Sequence, residues 1–125
     1  MKILVVDDER DVEDLFRQKF RKEIRNGGLE LVFAFSGKEA LEILESSQPQ
    51  EVSSVFSDIN MPGMSGLEML AIIKHRFPQL RVSMISAYGD AASYDKAISS
   101  GAQGFFTKPV DFDSLRKTLG EIQPN

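Results

Sequence analysis

Two adjacent carboxylates, Asp7 and Asp8, follow the apolar run Ile3-Leu4-Val5-Val6, and a third, Asp58, ends a later run of strand-like character. Ser86 and Lys108 end two more. An acid pair, a further acid, a hydroxyl and an ammonium are groups that metal and phosphoryl chemistry uses. Three carboxylates brought together repel, which raises the cost of keeping all of them ionised. Something positive must then sit among them. A divalent cation preferring oxygen ligands is one answer and a single lysine is another; the sequence offers both.

Whether these groups meet depends on the elements that carry them. Lys2 to Asp7 is short and nearly continuously apolar until its end, the pattern of a strand covered on both faces. From Val12 the period changes. Val12, Leu15, Phe16, Phe20 and Ile24 recur at three- and four-residue steps, predicting one amphipathic helix that stops at Asn26-Gly27-Gly28. Residues 29–35 read as a strand. Ser36 and Glu39 then form a capping box for a helix with Ala40, Leu41 and Leu44, closed by Pro49. Residues 52–57 read as a third strand, the least apolar because of Ser53 and Ser54. Pro62-Gly63 marks a turn, and Ser65 with Glu68 makes a second capping box before Leu67, Leu70, Ile73 and Phe77. Residues 80–85 are the fourth strand. Asp90 caps a small-residue helix through Tyr94, Ala97 and Ile98, ended by Gly101. After a short fifth strand over 104–107, Asp111 caps a last helix with Leu115, Leu119 and Ile122 inward.

Five β–α units in alternation imply one α/β domain over residues 1–125, with a mainly parallel sheet covered on both faces. Ligands of such sheets bind beyond the carboxyl ends of the strands. Asp7-Asp8, Asp58, Ser86 and Lys108 occupy four of the five ends, while Phe35-Ser36 at the other is only weakly polar.

The bulk properties narrow the classes. With 125 residues, 42% of them apolar and 27% charged, the chain suits a single globular core. Zero cysteines exclude a disulfide framework and a thiolate metal site. No apolar stretch approaches the ~20 residues of a membrane span. Met1-Lys2 leads straight into the first strand without a signal-peptide cleavage region, so a cytoplasmic, membrane-free protein is expected. A net charge of −4 argues against nucleic acid as a direct partner. The densest basic stretch, Arg17 to Arg25, reads as the wet face of a helix, as does His75 beside Lys74 and Arg76; Met61, Met64 and Met69 read as loop and core filler. Each strand-end group alone also has a plain reading as a helix start, a turn, a cap or a solvated lysine. Those plain readings do not explain why all four meet at one rim.

The acidic pair after the first strand, the run Asp58-Ile59-Asn60-Met61-Pro62-Gly63-Met64-Ser65-Gly66, and the pairs Ser86-Ala87 and Lys108-Pro109 together resemble the receiver domains of bacterial response regulators. The resemblance spans essentially the whole chain. It implies a doubly wound (βα)5 flavodoxin-like fold with a parallel sheet of order 2-1-3-4-5. It also implies phosphorelay signalling, in which Asp58 accepts a phosphoryl group from a sensor histidine kinase or histidine phosphotransfer protein in a Mg²⁺-dependent step. Asp8 and Asp58 would hold the ion with the backbone carbonyl of Asn60, and Asp7 would orient a metal-bound water. Lys108 would pair with a carboxylate before transfer and with the phosphoryl group after it. Ser86 would donate to a phosphoryl oxygen and draw its loop inward, coupled to Phe105, which lacks the hydroxyl of the tyrosine often found there. Asn60 and Tyr88 would flank the hydrolytic water and tune lifetime, and the Lys108-Pro109 bond would be cis. Output would pass through a face over residues 91–119 to a partner or an attached effector; a free-standing regulator and a segment of a longer protein both fit.

Two rivals meet obstacles. A phosphohydrolase working through an aspartyl phosphate wants a second acid two residues after the nucleophile, where Asn60 stands. A nucleotide- or flavin-binding module wants a glycine- or hydroxyl-rich loop after the first strand, where Asp8-Glu9-Arg10 stands. A switch, not an enzyme, is the expectation.

Overall fold

The structure is a computed structural model that describes residues 1–46, 51–89 and 91–122, the last two by backbone alone. Five strands, β1 (Lys2–Val6), β2 (Glu30–Ala34), β3 (Ser54–Asp58), β4 (Arg81–Ser86) and β5 (Gly104–Thr107), form one parallel sheet in the order β2-β1-β3-β4-β5. Six helices connect and flank them: α1 (Asp11–Lys19), α2 (Arg21–Arg25), α3 (Gly37–Ser46), α4 (Gly66–Arg76), α5 (Ala91–Ser99) and α6 (Phe112–Ile122). This is the doubly wound order expected.

Alternation along β1 explains the two-sided core. Leu4 and Val6 enter a cluster with Leu41, Leu44, Leu70, Ile73 and Ala97, which come from α3, α4 and α5. Ile3 and Val5 enter a second cluster with Phe16, Phe20, Leu115 and Leu119, beneath α1 and α6. Both clusters are fully withdrawn from water, so β1 is apolar on each face as its sequence predicts. The weakly apolar third strand survives because its hydroxyls are paired: Ser54 Oγ donates to the Arg81 carbonyl at 3.3 Å and Ser57 Oγ to the Asp58 carbonyl at 2.9 Å.

Several local expectations change. The long first helix is broken at Phe20, whose φ and ψ of −107° and 22° separate α1 from α2. The Phe20 ring at the break is completely buried. Leu15, assigned to the apolar face, is exposed, and so are Tyr94 and Ile98. The Ser65–Glu68 capping box forms in full. The Ser36–Glu39 box forms by half: Ser36 Oγ accepts from Glu39 N–H at 3.0 Å, but Glu39 Oε2 accepts from Phe35 N–H instead of the cap's own. Asp111 caps α6 through the N–H groups of Asp113 and Ser114. Pro49, Asp90, the Ile122 side chain and Gln123-Pro124-Asn125 lie outside the described residues.

Candidate functional site

All five strands point the same way, so their carboxyl ends share one edge. Asp7 follows β1 and is held to β2 by its N–H, which donates to the Ala34 carbonyl at 3.1 Å. Its own Oδ1 accepts from Glu9 N–H at 2.9 Å, which turns the chain at the acidic pair. Asp58 ends β3, and the next residue, Ile59, donates to the Ile85 carbonyl of β4 at 3.0 Å. Lys108 follows β5 with its N–H on the Ser86 carbonyl at 2.8 Å. The Lys108-Pro109 bond is cis, as the resemblance implied.

These anchors bring the charged groups together. Asp7 and Asp58 are buried and Asp8 is exposed. Each offers a carboxylate oxygen, and the three oxygens lie within 4.8 Å of one another. Lys108 Nζ stands 3.3 Å from Asp58 Oδ2 and 3.4 Å from Asp7 Oδ2. Burial pushes the Asp58 carboxyl above its usual range and the neighbouring Asp7 adds to this; Lys108 and the Asn60 backbone N–H oppose it without winning. Burial works against the Lys108 ammonium, but the carboxylates of Asp58 and Asp7 outweigh it, and its pKa is raised. One lysine therefore leaves the three acids short of positive charge. An all-oxygen cluster of this kind, one member open to solvent, fits a hard divalent cation such as Mg²⁺.

Ser86 is fully buried at the end of β4, one residue past the Asp58 partner Ile85. Its Oγ accepts from Tyr88 N–H at 3.0 Å, so the hydroxyl oxygen is engaged within its own loop. Tyr88 is exposed, and so is Asn60 beside the acceptor. Phe105 is half-buried on β5, with Tyr94 of α5 making an edge contact at 5.6 Å between ring centroids. His75 is exposed in the last turn of α4.

Two residues given no role from the sequence take part. Gly66 opens α4 against Asp58: a Cβ there would stand 2.0 Å from the Asp58 carbonyl oxygen. Its N–H donates to the Ile59 carbonyl at 2.8 Å, so only glycine allows this approach. Arg10 lays its guanidinium 4.2 Å from the centroid of the Phe35 ring, and Phe35 follows the register partner of Val6. The second motif glycine was visible in the sequence, but its contact was not, and nothing local signals the Arg10–Phe35 pair.

The chain is similar to known proteins along nearly its whole length. The sequence profile described as "Response regulator receiver domain" matches residues 3–120. Sporulation initiation phosphotransferase F of Bacillus subtilis is 32% identical over 123 residues, covering 98% of this chain and 94% of that protein. Response regulator protein PilR of Pseudomonas aeruginosa is 38% identical over 120 residues, 94% of this chain but 25% of that protein. The chain thus spans nearly the whole of one relative and a quarter of the other. Among solved structures, response regulator protein TrrA from Thermotoga maritima in complex with Mg(2+)-BeF superposes with a TM-score of 0.81 at 30% identity, covering 98% of both chains.

Proposed function

The chain belongs to the response regulator receiver domains, and on that premise we propose a phosphorelay switch whose Asp58 accepts a phosphoryl group from the phosphohistidine of a sensor kinase or histidine phosphotransfer protein. The observation that carries this is the position of Asp58: buried at a strand end, against Asp7 and Asp8, and tied to Lys108.

In the transfer, a carboxylate oxygen of Asp58 attacks phosphorus, the donor's nitrogen–phosphorus bond breaks, and the leaving imidazole nitrogen takes a proton. The product is an acyl phosphate. Asp8 and Asp58 would hold Mg²⁺ with the Asn60 backbone carbonyl, Asp7 would orient a water, and the ion would neutralise charge on the transferred group. The TrrA complex with Mg(2+)-BeF supports the choice of ion. Lys108 exchanges its carboxylate partner for a phosphoryl oxygen, a charge-assisted contact.

The new group carries roughly one and a half to two negative charges. The Ser86 hydroxyl turns to donate to it, which gives up the contact with Tyr88 N–H and draws residues 87–89 inward. Phe105 follows by packing with Tyr94, so the change reaches the face formed by α5, β5 and α6 over residues 91–119. That face meets a partner or an attached effector; a relative of this length and relatives about four times as long support both arrangements. Asn60 and Tyr88 stand in the open beside the acceptor and the hydroxyl, where they tune the lifetime of the acyl phosphate.

The chain is a receiver and not a phosphohydrolase, because the amide of Asn60 cannot serve as the second acid. No helix among the described residues is long and apolar enough to cross a membrane; with the absence of cysteine this supports work in the cytoplasm.

The test is direct. Incubation with phosphoramidate and Mg²⁺ adds one phosphoryl group by mass, and Asp58→Asn or chelation of the metal prevents it. A gain that survives in Asp58→Asn places the acceptor elsewhere.

A further inference from the structure

The basic side chains from Arg17 to Arg25 are exposed as expected, but they lie on two helices, α1 and α2, and not on one. At the break after α1, the Lys19 carbonyl accepts from Arg116 Nη2 of α6. The same guanidinium pairs with Glu23 at 3.3 Å and Asp113 at 3.2 Å, and lies 5.1 Å from the centroid of the Phe20 ring. Arg116 thus ties α6 to the break, and it walls two adjoining concavities.

The first, of about 440 Å³, is lined by Lys19, Arg21, Lys22 and Arg116, with Gln18 and Glu23. Four cations line it with one carboxylate; counting Asp113, which also pairs with Arg116, the local excess is two positive charges in a chain whose net charge is −4. The one carboxylate is already paired with Arg116. Among the described residues, neither Arg21 nor Lys22 has an ion-pair partner. The second concavity, of about 400 Å³, shares Glu23 and Arg116 and has apolar walls from Met1, Phe20, Leu29 and Leu119. Met1 and Leu29 precede β1 and β2, so the second concavity opens at the amino ends of the strands, and the first adjoins it through Glu23 and Arg116. Asp58 lies at the opposite edge of the sheet.

We propose that this double concavity docks an acidic segment of a partner protein, its carboxylates against Lys19, Arg21 and Lys22 and one apolar side chain against Met1 and the rims of Leu29 and Leu119. Charge complementarity of this kind steers encounter and sets partner choice. A nucleotide fits less well, because no aromatic face is open for a base to stack on. Phe20 is covered by Arg116, Phe112 by Lys19 at 5.9 Å, and the two rings meet at 5.8 Å between centroids. The proposal does not depend on the acceptor site.

The test uses the isotope-labelled full chain at low salt, titrated with the synthetic capped peptide Glu-Glu-Leu-Glu-Glu and separately with inorganic pyrophosphate. Saturable amide shifts should cluster at residues 18–23, Leu29 and Arg116. Affinity should fall about tenfold in the double variant Arg21→Glu/Lys22→Glu, and several-fold when serine replaces the peptide's leucine. Both substitutions fall on exposed side chains, so the fold persists. Asp58→Asn should bind the peptide as the parent does. The proposal is overturned by no saturable shift at millimolar peptide, by shifts elsewhere, by parental affinity in the double variant, or by pyrophosphate outcompeting the peptide at these residues.

Discussion

Lys108 Nζ divides itself almost evenly between two buried carboxylates, 3.3 Å from Asp58 and 3.4 Å from Asp7, which reach it from different strands. The lysine is a counter-ion for the acid pair, not a partner of Asp58 alone. In Lys108→Ala both carboxylates lose that compensation. Metal-free stability at pH 7 should drop by about 1–2 kcal/mol, and Mg²⁺ should restore most of it. Urea denaturation with and without Mg²⁺ measures both; an unchanged midpoint without metal would mean the pair contributes nothing.

The raised Asp58 pKa gives a signed pH dependence. The folded state holds the Asp58 proton more tightly than the unfolded chain does. Stability from this group is therefore lost as pH climbs from the ordinary value of 3.8 through the raised one. Asp58→Asn should raise the metal-free melting temperature by a few degrees at pH 7, and the gain should vanish below the ordinary carboxylate pKa. For Lys108, also raised, the contribution is fully present below 10.5 and is lost as pH rises through the shifted value. Removing Asp58 should accordingly weaken the alkaline loss. Melting curves across pH decide it, and an Asn variant less stable at pH 7 would reverse the argument.

Asp8 is the exposed member of the cluster, so its removal costs the fold little. Asp8→Ala should keep the metal-free melting temperature within a degree or two, yet weaken Mg²⁺ binding by about tenfold or more. It should also erase the Mg²⁺-dependent rise in stability that ligand binding confers. Calorimetric titration checks this; parental Mg²⁺ affinity would take Asp8 out of the ion's ligand set.

The switch requires the contact between Ser86 Oγ and Tyr88 N–H to break. On phosphorylation the Tyr88 amide should be among the most shifted, with further shifts through Ile98 and at Phe105. Ser86→Ala should still take the phosphoryl group while losing most of the response beyond residue 90. Shifts confined to the loop after Asp58 would mean that Ser86 and Phe105 are not coupled to the acceptor.

Strand positions, chain direction and the groups at the rim were legible because each rests on local pattern. An apolar run buried on both faces, a turn dipeptide or a cap leaves its mark within a few residues. The same reasoning misplaced Leu15, because three- and four-residue spacing names a helical face without showing how much of it the sheet covers. It also ran one helix across Phe20. Nothing in the local pattern marks the change of backbone angles at Phe20 that separates α1 from the five residues of α2.

The order of elements and the convergence of Asp7, Asp8, Asp58, Ser86 and Lys108 on one edge belong to the sequence, since parallel strands in alternation leave their carboxyl ends no other place. Tertiary structure decided the rest. It set which carboxylates share the lysine, how closely Gly66 approaches the Asp58 carbonyl, and how Arg116 gathers the basic stretch around a break. Those are contacts between segments remote in the chain, with distances that only packing the helices onto the sheet can fix.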